Sequence, residues 1–127
     1  MTLILDTHFL IWLVLGSHRV SDFSWLGVYR PWGVSPISLL EVQFLAEVGK
    51  LRVKNPDFVD ALAKDERFVV DDAPLATVFR HALTLDWTRD PFDRLLAAHS
   101  LARRLPLCSV DDTIQRHHRL LPRELVP

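Results

Sequence analysis

Acidic residues recur in this sequence where an apolar run gives way to a helical pattern. In the stretch TRDPFDRLLAAHSL, Asp90 and Asp93 flank a proline and a phenylalanine and lead directly into an apolar helical pattern. Asp6 follows the run TLIL, and Glu41 and Asp111 stand in the stretches SLLEV and CSVDD. A set of oxygen ligands of this kind suits Mg²⁺ or Mn²⁺ rather than zinc. The carboxylates therefore predict metal chemistry if the fold brings them together.

Helix capping is the competing explanation for each carboxylate taken alone. Aspartate is a favoured N-cap, worth roughly 0.5–2 kcal/mol, and this role suits both Asp6 and Asp90. Asp93 would lie near the positive end of the helix dipole. Glu41 follows Ser38 by three residues, which is the spacing of a capping box. The two roles are compatible, since Asp90 can begin a helix while Asp93, one turn further on, faces a metal.

Strand-like and helix-like patterns alternate along the chain. Short apolar runs predict strands in TLIL, PWGVSPIS, RFVV and LCSV. Helices are predicted for THFLIWLVLG, from near Ser38 to near Gly49, for PDFVDALAKDE and PLATVFRHALTL, from Asp90 to Pro106, and around TIQRHHRLL. This alternation predicts a three-layer α/β/α domain with a mostly parallel sheet.

A parallel sheet would collect the acidic residues at one place. The loops after the carboxyl ends of parallel strands open onto the same edge, and ligands bind there. Carboxylates gathered at that edge would repel one another unless a cation lay between them. The sequence thus favours a metal site over unrelated helix caps, and its expected ligands are Asp6, Glu41, Asp93 and Asp111.

The size and charge of the chain narrow the classes of function. Its 127 residues, 49% of them hydrophobic, are enough for one domain over residues 1–127 with a single core. The formal net charge of −1 provides no overall attraction to nucleic acid, so RNA binding would need a local basic patch. A charge near zero also leaves little repulsion between copies, which permits self-association. The candidate RNA-binding residues near the acidic edge are Arg89, Arg94, Arg116 and Arg119.

Several residues have simpler interpretations. Arg94 follows Asp90 by four residues and can form an ordinary surface ion pair with it. Cys108, the single cysteine, stands in an apolar run and is expected in the core. His117 and His118 are adjacent, so they point in different directions on a helix and do not predict a zinc site.

The apolar run LILDTHFLIWLVLG near the N-terminus is not expected to target the chain to a membrane. Asp6 and His8 interrupt it, no basic segment precedes it, and its uncharged part is too short to span a bilayer. The expectation is a soluble, cytoplasmic protein without a membrane partner.

Four stretches, in order along nearly the whole chain, resemble the signatures of PIN-domain ribonucleases, especially the small VapC-like toxins of bacterial toxin–antitoxin pairs. They are LILDTHFLIWLV, SLLEV, RDPFDRLLAAHSLARRLPL and CSVDD. Each motif alone is a weak signal, but the four in this order and spacing are specific. The resemblance implies a PIN-like fold and metal-dependent cleavage of RNA, including structured RNA such as tRNA. It also implies a cognate antitoxin and a homodimer.

The resemblance can be carried over residue by residue. It implies a set of four acidic metal ligands, namely Asp6, Glu41, Asp93 and Asp111. Asp90 is implied as their acidic companion in catalysis, and Thr7 matches the hydroxyl residue that follows the first aspartate. Ser109 stands where the family has threonine, and the adjacent Asp112 leaves the fourth ligand open between Asp111 and Asp112. Either Asp90 or Asp112 could accept the proton of an attacking water.

Other classes of function are also weighed. A phosphoaspartyl phosphatase would have a second aspartate two positions after the first, where this chain has His8. A response-regulator receiver would need a late lysine, whereas the last lysine is Lys64. The nucleophile motif of serine hydrolases and the phosphate-binding glycine loop do not occur. The remaining alternative is a non-catalytic PIN-like module that binds RNA or protein, although clustered charges that cost stability would then serve no purpose.

Overall fold

Strands and helices alternate as predicted in residues 1–53 and 55–127, the part of the chain that the computed structural model describes. The strands are β1 (Ile4–Leu5), β2 (Trp32–Val34), β3 (Phe68–Val70) and β4 (Leu107–Cys108). The α-helices are α1 (Thr7–Leu15), α2 (Pro36–Glu47), α3 (Asn55–Ala63), α4 (Leu75–Ala82), α5 (Pro91–Arg103) and α6 (Asp112–His117). Between α1 and β2 the chain forms the 3-10 helices His18–Asp22 and Ser24–Tyr29, and a further 3-10 turn spans Arg123–Leu125.

The strands form one sheet in the order β3-β2-β1-β4, and each described pair is parallel. Ile4 of β1 pairs with Gly33 of β2 on one side and with Leu107 of β4 on the other. The loops after β1 and β4 therefore leave the sheet side by side at its carboxyl edge. This position suits a ligand site in a parallel sheet.

Helices cover both faces of the sheet, which confirms the predicted three-layer fold. Along β1, Leu3 and Leu5 point into the core cluster beneath α1 and α3, whereas Ile4 points into the opposite cluster with Leu96 of α5 and Ile114 of α6. The central strand β1 is thus buried on both faces, as expected for a parallel sheet, whereas Val69 and Val70 of the edge strand β3 are exposed. None of the helices in the described part of the chain has the length and hydropathy of a membrane span.

Two helix boundaries bear on the site. Helix α1 ends as predicted at Gly16, whose φ of 66° lies in the left-handed region that favours glycine. Helix α2 begins at Pro36 rather than near Ser38, because the Ser35 hydroxyl accepts a hydrogen bond from the Ile37 N–H at 3.2 Å and caps the helix. The capping box predicted for Ser38 and Glu41 is therefore wrong. Glu41 lies in the second turn, where capping does not explain a carboxylate.

His118 is buried beneath the end of α6, and this burial predicts a pH effect on stability. Its Nε2 atom lies 2.9 Å from the Ser100 hydroxyl, and burial lowers the pKa of His118 from 6.5 to about 4. The unfolded chain therefore takes up a proton that the folded protein does not, so stability falls as the pH drops from about 6.5 towards 4. Between pH 7 and pH 5 this loss is expected to be about 2 kcal/mol.

Urea denaturation of the wild type and of His118→Gln at both pH values measures this effect. Glutamine keeps a hydrogen-bonding group but does not titrate, so the difference in unfolding free energy between the two proteins should shrink on going to pH 5. A constant difference would contradict the assignment to His118.

Candidate active site

Asp6 lies at the carboxyl end of β1, in the centre of the sheet edge. It is only 4% exposed, and it caps α1 through a 2.7 Å hydrogen bond from the Thr7 N–H to Oδ1. Its other oxygen, Oδ2, accepts a hydrogen bond from the Ser109 hydroxyl at 2.7 Å. Ser109 follows β4, and its hydroxyl also accepts a hydrogen bond from the N–H of Asp111 at 3.1 Å. The serine that replaces the expected threonine thus links the first and last acidic stretches.

Glu41 is held near Asp6 by the contact between α1 and α2. The Thr7 hydroxyl donates to the Ser38 hydroxyl at 2.9 Å, and both side chains are fully buried. Glu41 follows Ser38 by about one helical turn, and its Oε1 is the one buried side-chain oxygen or nitrogen in the described part of the chain without a hydrogen-bond partner. An unpaired buried oxygen is costly and points to a missing ligand.

Asp90 and Asp93 stand at the start of α5. Asp90 is the N-cap as predicted, with Oδ1 accepting from the N–H of Phe92 at 2.9 Å and from that of Asp93 at 3.4 Å. Asp93 lies in the first turn and is half-buried. Asp90 therefore performs the capping, and Asp93 has no capping role that would explain its burial.

Asp111 and Asp112 have different environments. Asp111 caps α6 by accepting from the Ile114 N–H at 2.9 Å. Asp112 is 81% exposed on its side chain and pairs with Arg116 at 2.9 Å. Asp111 acts electrostatically on both Asp6 and Asp93, whereas Asp112 is not among the groups that shift either pKa. The geometry therefore favours Asp111 over Asp112 as the fourth acidic group.

The carboxylates share one electrostatic environment. Burial and, after it, the charge of Asp90 raise the pKa of Asp93 from 3.8 to about 7, and Asp6, Asp111 and Glu41 add to this rise. Burial likewise raises the pKa of Asp6, against the opposing hydrogen bond from Ser109. The pKa of Glu41 is raised by burial and, in part, by Asp6. Groups with pKa values perturbed by burial and by one another are typical of functional sites.

The carboxylates at the acidic edge are close enough to interact electrostatically, but they do not form a complete metal-coordination site. Among the described residues, no three acidic, histidine or cysteine side chains stand near enough to hold one ion as they are placed. Ligation by the acidic set would therefore require some of its side chains to rotate.

The predicted RNA-binding arginines differ in their availability. The Nε of Arg94 donates to the carbonyl of Ala82 at 2.7 Å, and no ion pair between Arg94 and Asp90 occurs among the described residues, so the expected surface pair is wrong. Arg116 is paired with Asp112. Arg89 and Arg119 are exposed.

A buried polar chain behind the acidic edge was not predicted from the sequence. The Ser35 hydroxyl lies 2.7 Å from Nδ1 of His99, and Nε2 of His99 lies 2.8 Å from Oδ2 of Asp71. Arg103 donates to the same Asp71 oxygen at 2.9 Å. Burial would raise the pKa of Asp71, but the hydrogen bonds from His99 and Arg103 outweigh it and lower the pKa. This hydrogen-bond network joins the ends of β2 and β3 to α5.

This serine–histidine–aspartate arrangement is structural. Ser35, His99 and Asp71 are each no more than 5% exposed. Because the Ser35 oxygen already accepts the capping hydrogen bond of α2, its hydroxyl hydrogen is left to donate to His99. A buried serine fixed in this way cannot attack a substrate, so the network holds α2 and α5 in register.

The family model described as the PIN domain matches residues 3–120. No curated protein matches the chain. Solved structures that match include a crystal structure of VapBC2 from Rickettsia felis bound to a DNA fragment from their promoter. The matched chain is 19% identical, with a TM-score of 0.66 over 96% of this chain and 98% of that one.

Proposed function

The chain belongs to the PIN-domain family, and we propose that it is a metal-dependent endoribonuclease of the VapC type. The observation that carries the proposal is the gathering of carboxylates around Asp93 at the carboxyl edge of the sheet, where burial and four neighbouring carboxylates raise its pKa to about 7. Such a site is costly to maintain unless a cation or substrate uses it. The fold shared with a chain from a VapBC2 complex supports the same assignment.

The residues at the acidic edge fit a divalent cation. All candidate ligands are carboxylate oxygens, which suits Mg²⁺ or Mn²⁺. The unpaired Oε1 of Glu41 and the mutual repulsion around Asp93 would both be relieved by a bound cation. The proposed ligand set is Asp6, Glu41, Asp93 and Asp111. When bound, the ion supplies Lewis-acid polarisation of the scissile phosphate and activation of water.

The remaining steps fall to side chains of this protein. Hydrolysis forms a bond between the water oxygen and phosphorus, breaks the bond from phosphorus to the leaving ribose oxygen, moves a proton from the water to a base, and gives the leaving oxygen a proton from solvent. Asp90 is the better base because Asp112 is held by Arg116. Ser109 and Thr7 keep Asp6 in place, and exposed Arg89 is available for the phosphate backbone of the RNA.

Incubation with total RNA and, separately, with single-stranded DNA tests the proposal. The purified protein is assayed in Mg²⁺, in Mn²⁺ and in EDTA, after any co-purified partner has been removed. Cleavage of RNA that requires metal and disappears in Asp93→Asn is the expected result. Asp72→Asn is the matched control, since Asp72 also follows a strand but is exposed and lies outside the acidic set. It should cleave like the wild type.

The opposite result favours a different function. A folded, metal-loaded protein that binds RNA without cleaving any of it would support a non-catalytic PIN-like binding module.

Protein partners form the second part of the proposal. Two helices, each with the residue that caps its end, expose apolar stripes with helical spacing. One is the α2 stripe (Leu40, Phe44 and the C-cap Val48), and the other is the α4 stripe (Leu75, Phe79 and the C-cap Leu83). The α2 stripe continues into Phe92, which contacts Phe44 beside the acidic edge, so a protein bound there would cover the site. We assign the α2 stripe to a cognate antitoxin and the α4 stripe to a homodimer, both in the cytoplasm where RNA is available.

Charged substitutions on α4 are expected to weaken self-association. The double variant Phe79→Glu/Leu83→Glu places two carboxylates on side chains that are 46% and 78% exposed, so the fold should persist while an interface there would not. Light scattering after gel filtration should show a shift from dimer to monomer. Val28→Glu, at an isolated residue that is 86% exposed, is the control and should not change the mass. An unchanged dimer in the double variant would exclude this face as the interface.

A further inference from the structure

A small cavity lies beside α6, at the end of the helix away from Asp111. Its volume is about 250 Å³, and its wall is formed by Leu85, Trp87, Leu101, His117, His118 and Arg119. This is slightly below the roughly 300–1,000 Å³ of sites for drug-sized molecules. The space suits a flat fragment the size of one nucleobase.

The cavity carries a preformed aromatic surface. The rings of Trp87 and His117 are stacked with centroids 5.6 Å apart and planes within 10°. Trp87 is half-buried and packs against the core cluster of Ile4 and Leu107, whereas His117 is exposed. The tryptophan therefore holds the histidine ring flat towards solvent. Aromatic rings of this kind are the usual stacking platforms for unpaired bases.

The stacked rings of Trp87 and His117 lie close to the acidic edge, because each residue is near an acidic residue along the chain. Trp87 precedes Asp90 by three residues, so their Cα atoms are at most about 11 Å apart. His117 is the last residue of α6, whose N-cap is Asp111, and a helix of this length spans only about 9 Å. A nucleotide next to the scissile phosphate could therefore reach the cavity.

The charge at the cavity suits a nucleotide. Arg119 is exposed at the wall, and in the described part of the chain no carboxylate forms an ion pair with it, whereas Arg116 is paired with Asp112. A guanidinium group beside an aromatic surface can bind a phosphate while the base stacks. The apolar side chains of Leu85 and Leu101 would exclude water from the base.

We propose that this cavity binds one unpaired nucleobase of the RNA strand, which stacks on His117 while Arg119 contacts its phosphate. The proposal rests on the proposed ribonuclease function, because it names the part of the substrate that the same edge recognises. It predicts a preference for single-stranded or loop RNA at the cleavage site, since a paired base would first have to unpair and unstack at a cost of about a few kcal/mol.

Binding of a short, fluorescently labelled single-stranded RNA of mixed sequence tests the platform, with EDTA present to prevent cleavage. His117→Ala should raise the Kd roughly five- to tenfold, at the lower end of base-stacking effects. His117→Phe keeps a flat ring and should bind like the wild type. His18→Ala removes an exposed histidine elsewhere and is the matched control. An unchanged Kd in His117→Ala would overturn the proposal.

A second experiment locates the base. RNAs that lack a single base are compared on the wild type and on His117→Ala. At one position the missing base should weaken binding to the wild type but have no further effect on the variant. Arg119→Ala should reduce the salt dependence of binding by about one counterion. Equal losses on both proteins at every position would overturn the proposal.

The two functional proposals can fail separately. Metal-dependent cleavage with the same KM in His117→Ala and the wild type would remove the nucleobase site and leave the nuclease intact. Binding that depends on His117, without cleavage in any metal, would support the nucleobase site and remove the nuclease.

Discussion

In neutral buffer without divalent metal, Asp93→Asn is expected to raise the free energy of unfolding by roughly 2–4 kcal/mol. Burial, followed by the neighbouring carboxylates, raises the pKa of Asp93 from 3.8 to about 7 in the folded protein. The folded state therefore holds a proton that the unfolded chain releases, so stability falls as the pH rises from about 4 to about 7. Above pH 7 the full cost is present. Asparagine cannot ionise, so the variant does not carry this free-energy cost.

Urea denaturation in EDTA measures the destabilisation by the Asp93 carboxylate, and the same experiment in Mg²⁺ measures how far the ion removes it. Mg²⁺ should stabilise the wild type more than Asp93→Asn, because the variant lacks one ligand of the proposed metal site. Asp72→Asn should differ from the wild type by no more than about 0.5 kcal/mol under either condition. A less stable Asp93→Asn variant in EDTA would show that the carboxylate is not under strain at this edge.

His99→Leu is expected to lower the free energy of unfolding by about 3–5 kcal/mol. The leucine has a suitable volume, but Ser35 would lose the acceptor of its hydroxyl and Asp71 one of its two hydrogen-bond donors, all in a buried place. Because the whole domain is expected to be stable by only about 5–15 kcal/mol, this is a large fraction of the total.

Urea denaturation measures the change in the free energy of unfolding, and two further variants are compared with His99→Leu. His18→Leu changes an exposed histidine and should stay within about 0.5 kcal/mol of the wild type. His99→Gln can keep one of the two hydrogen bonds and should lie between the wild type and His99→Leu. If His99→Leu were as stable as the wild type, apolar packing would compensate fully for the network.

Local signals in the sequence were enough for part of this site. The N-caps at Asp6 and Asp90 were predicted correctly, because each cap depends on residues within three positions along the chain. The helix start predicted near Ser38 lies too late, since Ser35 is the N-cap and Pro36 the first residue of α2. In the structure the proline at the first helical position decides where the helix begins.

Rules that use neighbouring residues in the sequence cannot predict the buried hydrogen-bond network of Ser35, His99 and Asp71. Its hydrogen bonds join residues separated by 64 and 28 positions, so only the folded sheet brings them together. A signal was nevertheless present, since His99 stands directly after Ala97 and Ala98 in an apolar helical stretch. A histidine in that setting needs a buried partner.

The central place of β1 in the sheet governs when this protein could become active. The hydrogen bond between Asp6 and Ser109 spans 103 positions, and β1 pairs with β4 from the opposite end of the chain. A chain still being synthesised, with β4 inside the ribosome, has the first carboxylate but neither its supporting hydroxyl nor Asp111. Because such distant contacts form late, the acidic edge would assemble only after β4 has left the ribosome. A partner that binds the new chain at that moment would meet the acidic edge as it forms.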